Sequence, residues 1–160
     1  MALRVVRLGS PRAPHEGLRL GTVRRPPRGV PRSQYAERNF FDVWLPILAP
    51  SAGAVALALK ARCEGDWRSF TRRYRREMAQ PGPREVLALI AALSRSVDLS
   101  VGCYCADESR CHRSILRALL LERGAVLDGP ESAPREEPGA SVTPPKTRPP
   151  KRGSGGTGSR

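Results

Sequence analysis

Three of the four cysteines and one of the two histidines of this 160-residue chain fall within eleven positions, Cys103 to Arg113, in the stretch GCYCADESRCHRSIL at 102–116. Cysteine reacts as its thiolate, and a thiol loses its proton most easily at a helix N-terminus beside cations. The stretch has that setting. A helix is expected to open near Cys111 or His112, offering unpaired backbone N–H groups and a partial positive charge, with Arg110 and Arg113 flanking it. Cys111 is therefore the candidate nucleophile, His112 the group that moves its proton or orients it, and Arg113 a cation for an anionic ligand.

Two other chemistries stay open. Cys103 and Cys105 could be small apolar residues at the end of a buried strand, with Cys111 packed under the helix and His112 facing solvent. Four N/S ligands would also satisfy zinc. Against zinc, Cys103 and Cys105 sit on adjoining strand positions, the side chains of the neighbours Cys111 and His112 are expected to diverge, and no second pair of ligands follows. No metal or other cofactor is expected. A cysteine-phosphatase motif is not supported either, because four residues separate Cys105 from Arg110 and six separate Cys103 from it.

These residues need a strand, a loop and a helix to position them, and the periodicities supply all three. VDLSVGCY at 97–104 reads as a strand, and HRSILRALLLERG at 112–124 as an amphipathic helix with Ile115, Leu116, Leu119 and Leu120 inward and Gly124 as its stop. Upstream, LRVVRL at 3–8 and GLRLGTVRR at 17–25 read as strands, and PPRGVPRS at 26–33 as a proline-rich loop. Helices are expected around 37–45, stopping at Pro46, and over 51–63 with Ser51 as cap. A third, over 66–78, is capped by Asp66, with Trp67, Phe70, Tyr74 and Met78 on one stripe. A fourth, over 83–96, has Pro83 in its first turn. A last short strand follows at 125–128. The order implies an α/β fold, a small and largely parallel sheet flanked by helices, spanning 1–128 as a single domain.

From Gly129 the character changes. Residues 129–160 hold no aromatic residue, one valine and dense Pro, Gly, Ser and Thr, so a disordered tail is expected. The chain carries a net charge of +13 and a pI near 11.1. The tail has six basic against three acidic residues, which leaves about +10 on residues 1–128. That charge favours polyanions or small phosphorylated or carboxylated ligands as partners. The longest apolar stretch, SAGAVALALKARC, is broken by Lys60, and Arg4 and Arg7 interrupt the amino-terminal segment; neither a membrane span nor a signal peptide is expected. The reading is cytoplasmic, where thiols stay reduced.

Over residues 17–128 the chain resembles the domain-of-unknown-function family 488, small α/β proteins. The resemblance rests on Cys103 ending a strand and on Cys111, His112 and Arg113 opening a helix. TVRRPPRGVP matches as well, with Val23, Arg24, Pro27, Arg28 and Gly29, as do DVWLPILAPS and WRSFTRRYRREM. The chain departs where the family often has acids, with Val23 before Arg24 and Cys105 two residues after Cys103; Asp107 or Glu108 could stand in. Cys105 is for that reason the least informative of the three cysteines. The resemblance implies a fold and a strand-end site but no reaction. It adds a second cationic loop, Arg24 and Arg28, expected to open on the same sheet edge as Arg113 and Cys111. Arg24 could instead pair with Asp42 or Glu108 and only tie loops together.

The first expectation for function is a cysteine-dependent protein, an enzyme of unknown reaction, whose strand-end pocket binds a small phosphate- or nucleotide-like anion through Arg24, Arg28 and Arg113. The second is a nucleic-acid-binding module that uses the basic face of the 66–79 helix, Arg68, Arg72, Arg75 and Arg76, together with the tail. A scaffold without chemistry is the third.

Overall fold

A computed structural model of the chain describes residues 1–128; the expected tail lies outside the described residues. Four strands, β1 (Leu3–Arg7), β2 (Leu18–Gly21), β3 (Val43–Trp44) and β4 (Leu99–Cys103), form one sheet in the order β1-β4-β2-β3, every pairing parallel. The helices are α1 (Ala52–Lys60), α2 (Glu64–Met78), α3 (Pro81–Leu93) and α4 (His112–Leu121). The α/β reading of the sequence holds. The expected final strand is reduced to a single bridge, Leu127 to Leu3.

Strand alternation sorts the sheet into two unlike faces. Leu3, Leu20, Leu99 and Val101 share one core with Ala54 of α1, Phe70, Tyr74 and Met78 of α2, Leu87 and Ile90 of α3, and Leu116 and Leu120 of α4. The register aligns Leu3 with Leu99 and Leu20 with Val101, so these strand residues face the same way and all four helices pack on that side. Each fully buried Leu or Phe there contributes roughly 1.5–3 kcal/mol.

The opposite face is built from small and polar residues and covered by loops. Gly21 lies so close to Phe41 that a Cβ would meet its ring at 2.3 Å. Arg19, with no exposed surface, donates to Glu16 at 2.7 Å and to the Asn39 carbonyl at 2.6 Å, and Ser100 donates to Glu16 at 2.8 Å. One buried ion pair thus fastens the 8–16 and 35–41 loops to the two central strands.

The helix expected over 37–45 does not form. Asn39 takes a left-handed φ of 60°, the Phe40 N–H turns back to the Tyr35 carbonyl at 2.8 Å, and Val43 and Trp44 join β2 instead. The apolar run there is satisfied by packing against Gly21 rather than by a helical stripe. α2 starts two residues earlier than expected: Cys63 is its N-cap, and Asp66 closes the capping box by accepting from the Arg62 and Cys63 N–H groups. α3 likewise begins at Pro81 rather than at Pro83.

Candidate thiol site at the sheet edge

β2 and β4 lie side by side in the sheet and end at one edge, where ligand sites of open α/β sheets form. β4 delivers Cys103 there. The chain then runs through Cys105 and a tight loop before Cys111 caps α4. That loop is fixed at four points. Asp107 accepts from the Ser109 N–H at 2.8 Å, and Glu108 pairs with Arg117 at 2.7 Å. Arg110 pairs with Glu64 at 3.3 Å and lies over the Trp67 ring. The Tyr104 hydroxyl reaches across to the Arg25 carbonyl at 3.3 Å, joining the loop to the one that follows β2.

The expectation that Cys111 and His112 diverge is corrected: Cys111 Sγ and His112 Nδ1 lie 3.7 Å apart. Cys111 sits at an N-cap with extended backbone, and this turns its side chain back over the first turn, where it accepts from the Arg113 N–H at 3.5 Å. His112 Nε2 lies 2.9 Å from the Thr22 carbonyl, which can only accept, so Nε2 carries the proton. In the neutral ring Nδ1 is then left as a base facing Cys111. Thr22 is held in turn by its hydroxyl, which donates to the Gly102 carbonyl at 2.9 Å, and Tyr74 packs edge-on beneath the imidazole.

The three sulfurs form one cluster. Cys103 Sγ donates to Cys105 Sγ at 3.7 Å. Cys103 and Cys111 are buried, whereas Cys105 is exposed. Cys103 keeps its proton, since hydrogen bonding to Cys105 and Cys111 together with burial pushes it far up. Cys105 receives that hydrogen bond, and with help from Cys111 and the Arg113 charge its thiol is pulled down to about 3. Cys111 is lowered too, chiefly by the Cys103 hydrogen bond.

Arg113 sits within this cluster, only 3% exposed. Its Nη2 donates to the Cys105 carbonyl at 2.7 Å, and its buried Nε has no partner. Among the described residues it pairs with no carboxylate, so its charge is left for the sulfurs or for a ligand.

Arg24 and Arg28 are exposed on the loop after β2. The expected pairing of Arg24 with Asp42 or Glu108 is not formed. Asp42 is taken by Arg12 at 2.8 Å and by the Arg19 N–H at 2.7 Å, Glu108 is taken by Arg117, and Arg24 reaches the Pro50 carbonyl at 3.5 Å. Neither Arg24 nor Arg28 hydrogen-bonds the thiols among the described residues. A cavity of about 210 Å³ beside this loop is lined by Pro26, Arg32, Tyr35, Phe41 and Trp44 and does not include the sulfurs. On α2, Arg68, Arg72 and Arg76 are exposed, while Arg75 pairs with Glu122 at 2.8 Å.

Cys103, Cys111 and His112 place their ligand atoms within 4.8 Å of one another, close enough to hold a soft metal ion with one position open. The local charge points the other way, because the Arg113 guanidinium and the α4 N-terminus both favour an anion over a divalent cation. Sequence reasoning missed Thr22 and Tyr74 at this site. Thr22 gave a faint signal, a polar residue closing a strand, and Tyr74 read only as core.

Fold and site together define a small open parallel α/β domain with a thiol cluster at the carboxyl edge of its central strands. The chain belongs to the DUF488 family: the family model DUF488-N3a, described as the active DUF488-N3 subclade, matches residues 3–124, a span that also takes in β1. No curated protein and no solved structure matches the chain. No helix among the described residues is long and apolar enough to cross a membrane.

Proposed function

We propose that this chain is a cysteine-dependent cytoplasmic protein that binds a small anionic ligand, of phosphate or nucleotide type, where β2 and β4 end, and presents the Cys105 thiolate to it. One observation carries the reading: Arg113 is buried against the cluster with no carboxylate partner and an unpaired Nε. A buried cation in that state is costly unless an anion balances it, and the Cys105 thiolate supplies one. Cys105 takes the attacking role that the sequence assigned to Cys111, because it is the exposed sulfur; Cys111 and His112 form the proton-holding pair beneath it. Arg24 and Arg28 stand on the neighbouring loop, where they meet the outer part of a ligand.

The test is protection of Cys105 from iodoacetamide in a Cys63→Ser background, with inorganic phosphate, pyrophosphate and a nucleoside monophosphate as probes. Saturable slowing by at least one of them, lost in Arg113→Met, is expected. Alkylation at the same rate with and without every probe overturns the reading.

A second reading, nucleic-acid binding, has its own observation. Arg68, Arg72 and Arg76 recur every four residues along one exposed line of α2, and neither Arg68 nor Arg76 has a side-chain partner among the described residues.

A further inference from the structure

We propose that Cys105 and Cys103 are the attacking and resolving thiols of a dithiol couple whose substrate is a small anionic disulfide. This rests on the anion-binding reading of the same corner and names the electrophile.

The geometry is that of a pair ready to close. The two sulfurs lie 3.7 Å apart, with one residue between them in sequence, one exposed and one buried behind it. Cys103 ends a strand held on both sides in the sheet, whereas Cys105 lies in the loop, outside regular structure, so Cys105 is the partner free to move the remaining distance to a bonded pair. Only Cys105 can meet a substrate from solvent. Cys103 has Cys111 beside it, and Cys111 in turn faces the free Nδ1 of His112, a route for the proton that Cys103 must lose to attack. The low proton affinity of Cys105 supports its role as the first thiolate.

Two exchanges complete the reaction. The Cys105 thiolate attacks one sulfur of the substrate, forming a protein–substrate disulfide as the substrate's own S–S bond breaks and the first thiolate leaves. Cys103 then attacks Cys105 Sγ. Its proton passes by way of Cys111 to His112 Nδ1, the Cys103–Cys105 bond forms, and the second substrate thiolate leaves. The leaving thiolates take up protons from His112 and solvent. In total two protein thiols are oxidised to one disulfide, and one substrate disulfide is reduced to two thiols.

The probe is 5,5′-dithiobis(2-nitrobenzoate), a doubly anionic disulfide, added at one equivalent to the full chain carrying Cys63→Ser. That substitution removes the remote exposed thiol and keeps a capping residue on α2. The expected result is two thionitrobenzoates released per chain, a protein mass lower by two hydrogens with no adduct, and a Cys103–Cys105 linkage in the peptide map. Cys103→Ser, or Cys103→Ala if the serine variant does not fold, is expected to release one and retain one on Cys105. A parental protein that keeps the adduct, or a linkage to Cys111 in place of Cys103, overturns the couple. So does one tightly held zinc per chain that shields the cysteines until a chelator removes it.

The neutral bis(2-hydroxyethyl) disulfide separates the two readings. Rates normalised to a small free thiol are expected to favour the anionic probe about tenfold, and this preference is lost in Arg113→Met. A linkage that closes without any such preference leaves the couple standing but overturns the anionic substrate and the anion-binding reading beneath it.

Discussion

The Arg113 guanidinium donates to the Cys105 carbonyl at 2.7 Å from a position only 3% exposed, so a fixed buried cation is coupled to the backbone of the exposed thiol. Hydrogen bonding with Cys103 and then Cys111 holds the Cys105 thiol well below the ~8.5 of a free thiol, and the Arg113 charge adds to them. Its alkylation rate by iodoacetamide is expected to be flat between pH 5 and 8, measured in Cys63→Ser. A free thiol would slow about tenfold per pH unit over that range, and such a slope would remove the thiolate assignment.

Tyr74 has no exposed surface and donates its hydroxyl to the Leu48 carbonyl at 2.6 Å. Tyr74→Phe keeps the ring under His112 and strands that carbonyl, at a cost of about 1–2 kcal/mol. Urea denaturation reads this as a lower midpoint with an unchanged slope. Cys105 reactivity is expected to stay as in the parent, since the ring rather than the hydroxyl meets the imidazole.

Glu16 is held below its ordinary 4.5: burial works to raise it, but hydrogen bonds from Arg19, the Ala13 N–H and Ser100, with the Arg19 charge, outweigh that. A carboxyl depressed in the folded state stabilises fully above its unfolded value and loses that contribution as pH falls through the folded one. Denaturant midpoints are therefore expected to hold from pH 7 to about 5 and to fall below about 4.5. Arg19→Met leaves Glu16 buried without its cation and costs about 3–5 kcal/mol at pH 7. In that variant Glu16 gains protons on folding, so acid recovers part of the loss, the reverse of the parent.

Gly17 enters β2 at φ +71°, and a Cβ there would lie 1.8 Å from the Asp98 carbonyl oxygen. Gly17→Ala must push β2 away from the chain entering β4, and more than 2 kcal/mol of destabilisation is expected, from positive φ and backbone clash together. Thermal denaturation showing no loss would contradict this close approach.

On α2, Arg68→Glu, Arg72→Glu and Arg76→Glu together are expected to abolish low-salt retention on a DNA column if that ridge binds nucleic acid, while leaving Cys105 alkylation unchanged. Unchanged retention would remove the second reading. Arg75 is left alone because it pairs with Glu122.

Much of the fold was legible in local pattern. Ser51 caps α1 by accepting from the Ala54 N–H, and the stripe Phe70, Tyr74 and Met78 is buried as its spacing requires. Both are one-element properties, written in adjacent residues. The 37–45 segment failed because its apolar spacing fits a helix equally well. What overrides it is distant: Gly21 leaves room for Phe41, and β2 offers an open edge to Val43 and Trp44.

By itself the sequence determined that a strand ending in Cys103, a polar loop and a helix capped near Cys111 would gather thiols and arginines at one corner, because each of those steps depends on neighbours in the chain. Only the tertiary structure decided which thiol reaches solvent, which keeps its proton and which arginines are left without a carboxylate among the described residues. Those properties depend on Thr22 beside His112, on Arg117 drawing off Glu108, and on Arg12 drawing off Asp42. Burial and charge balance are sums over residues far apart in sequence. For that reason Cys105, the cysteine least informative as a letter in the chain, becomes the one of the three that reaches solvent.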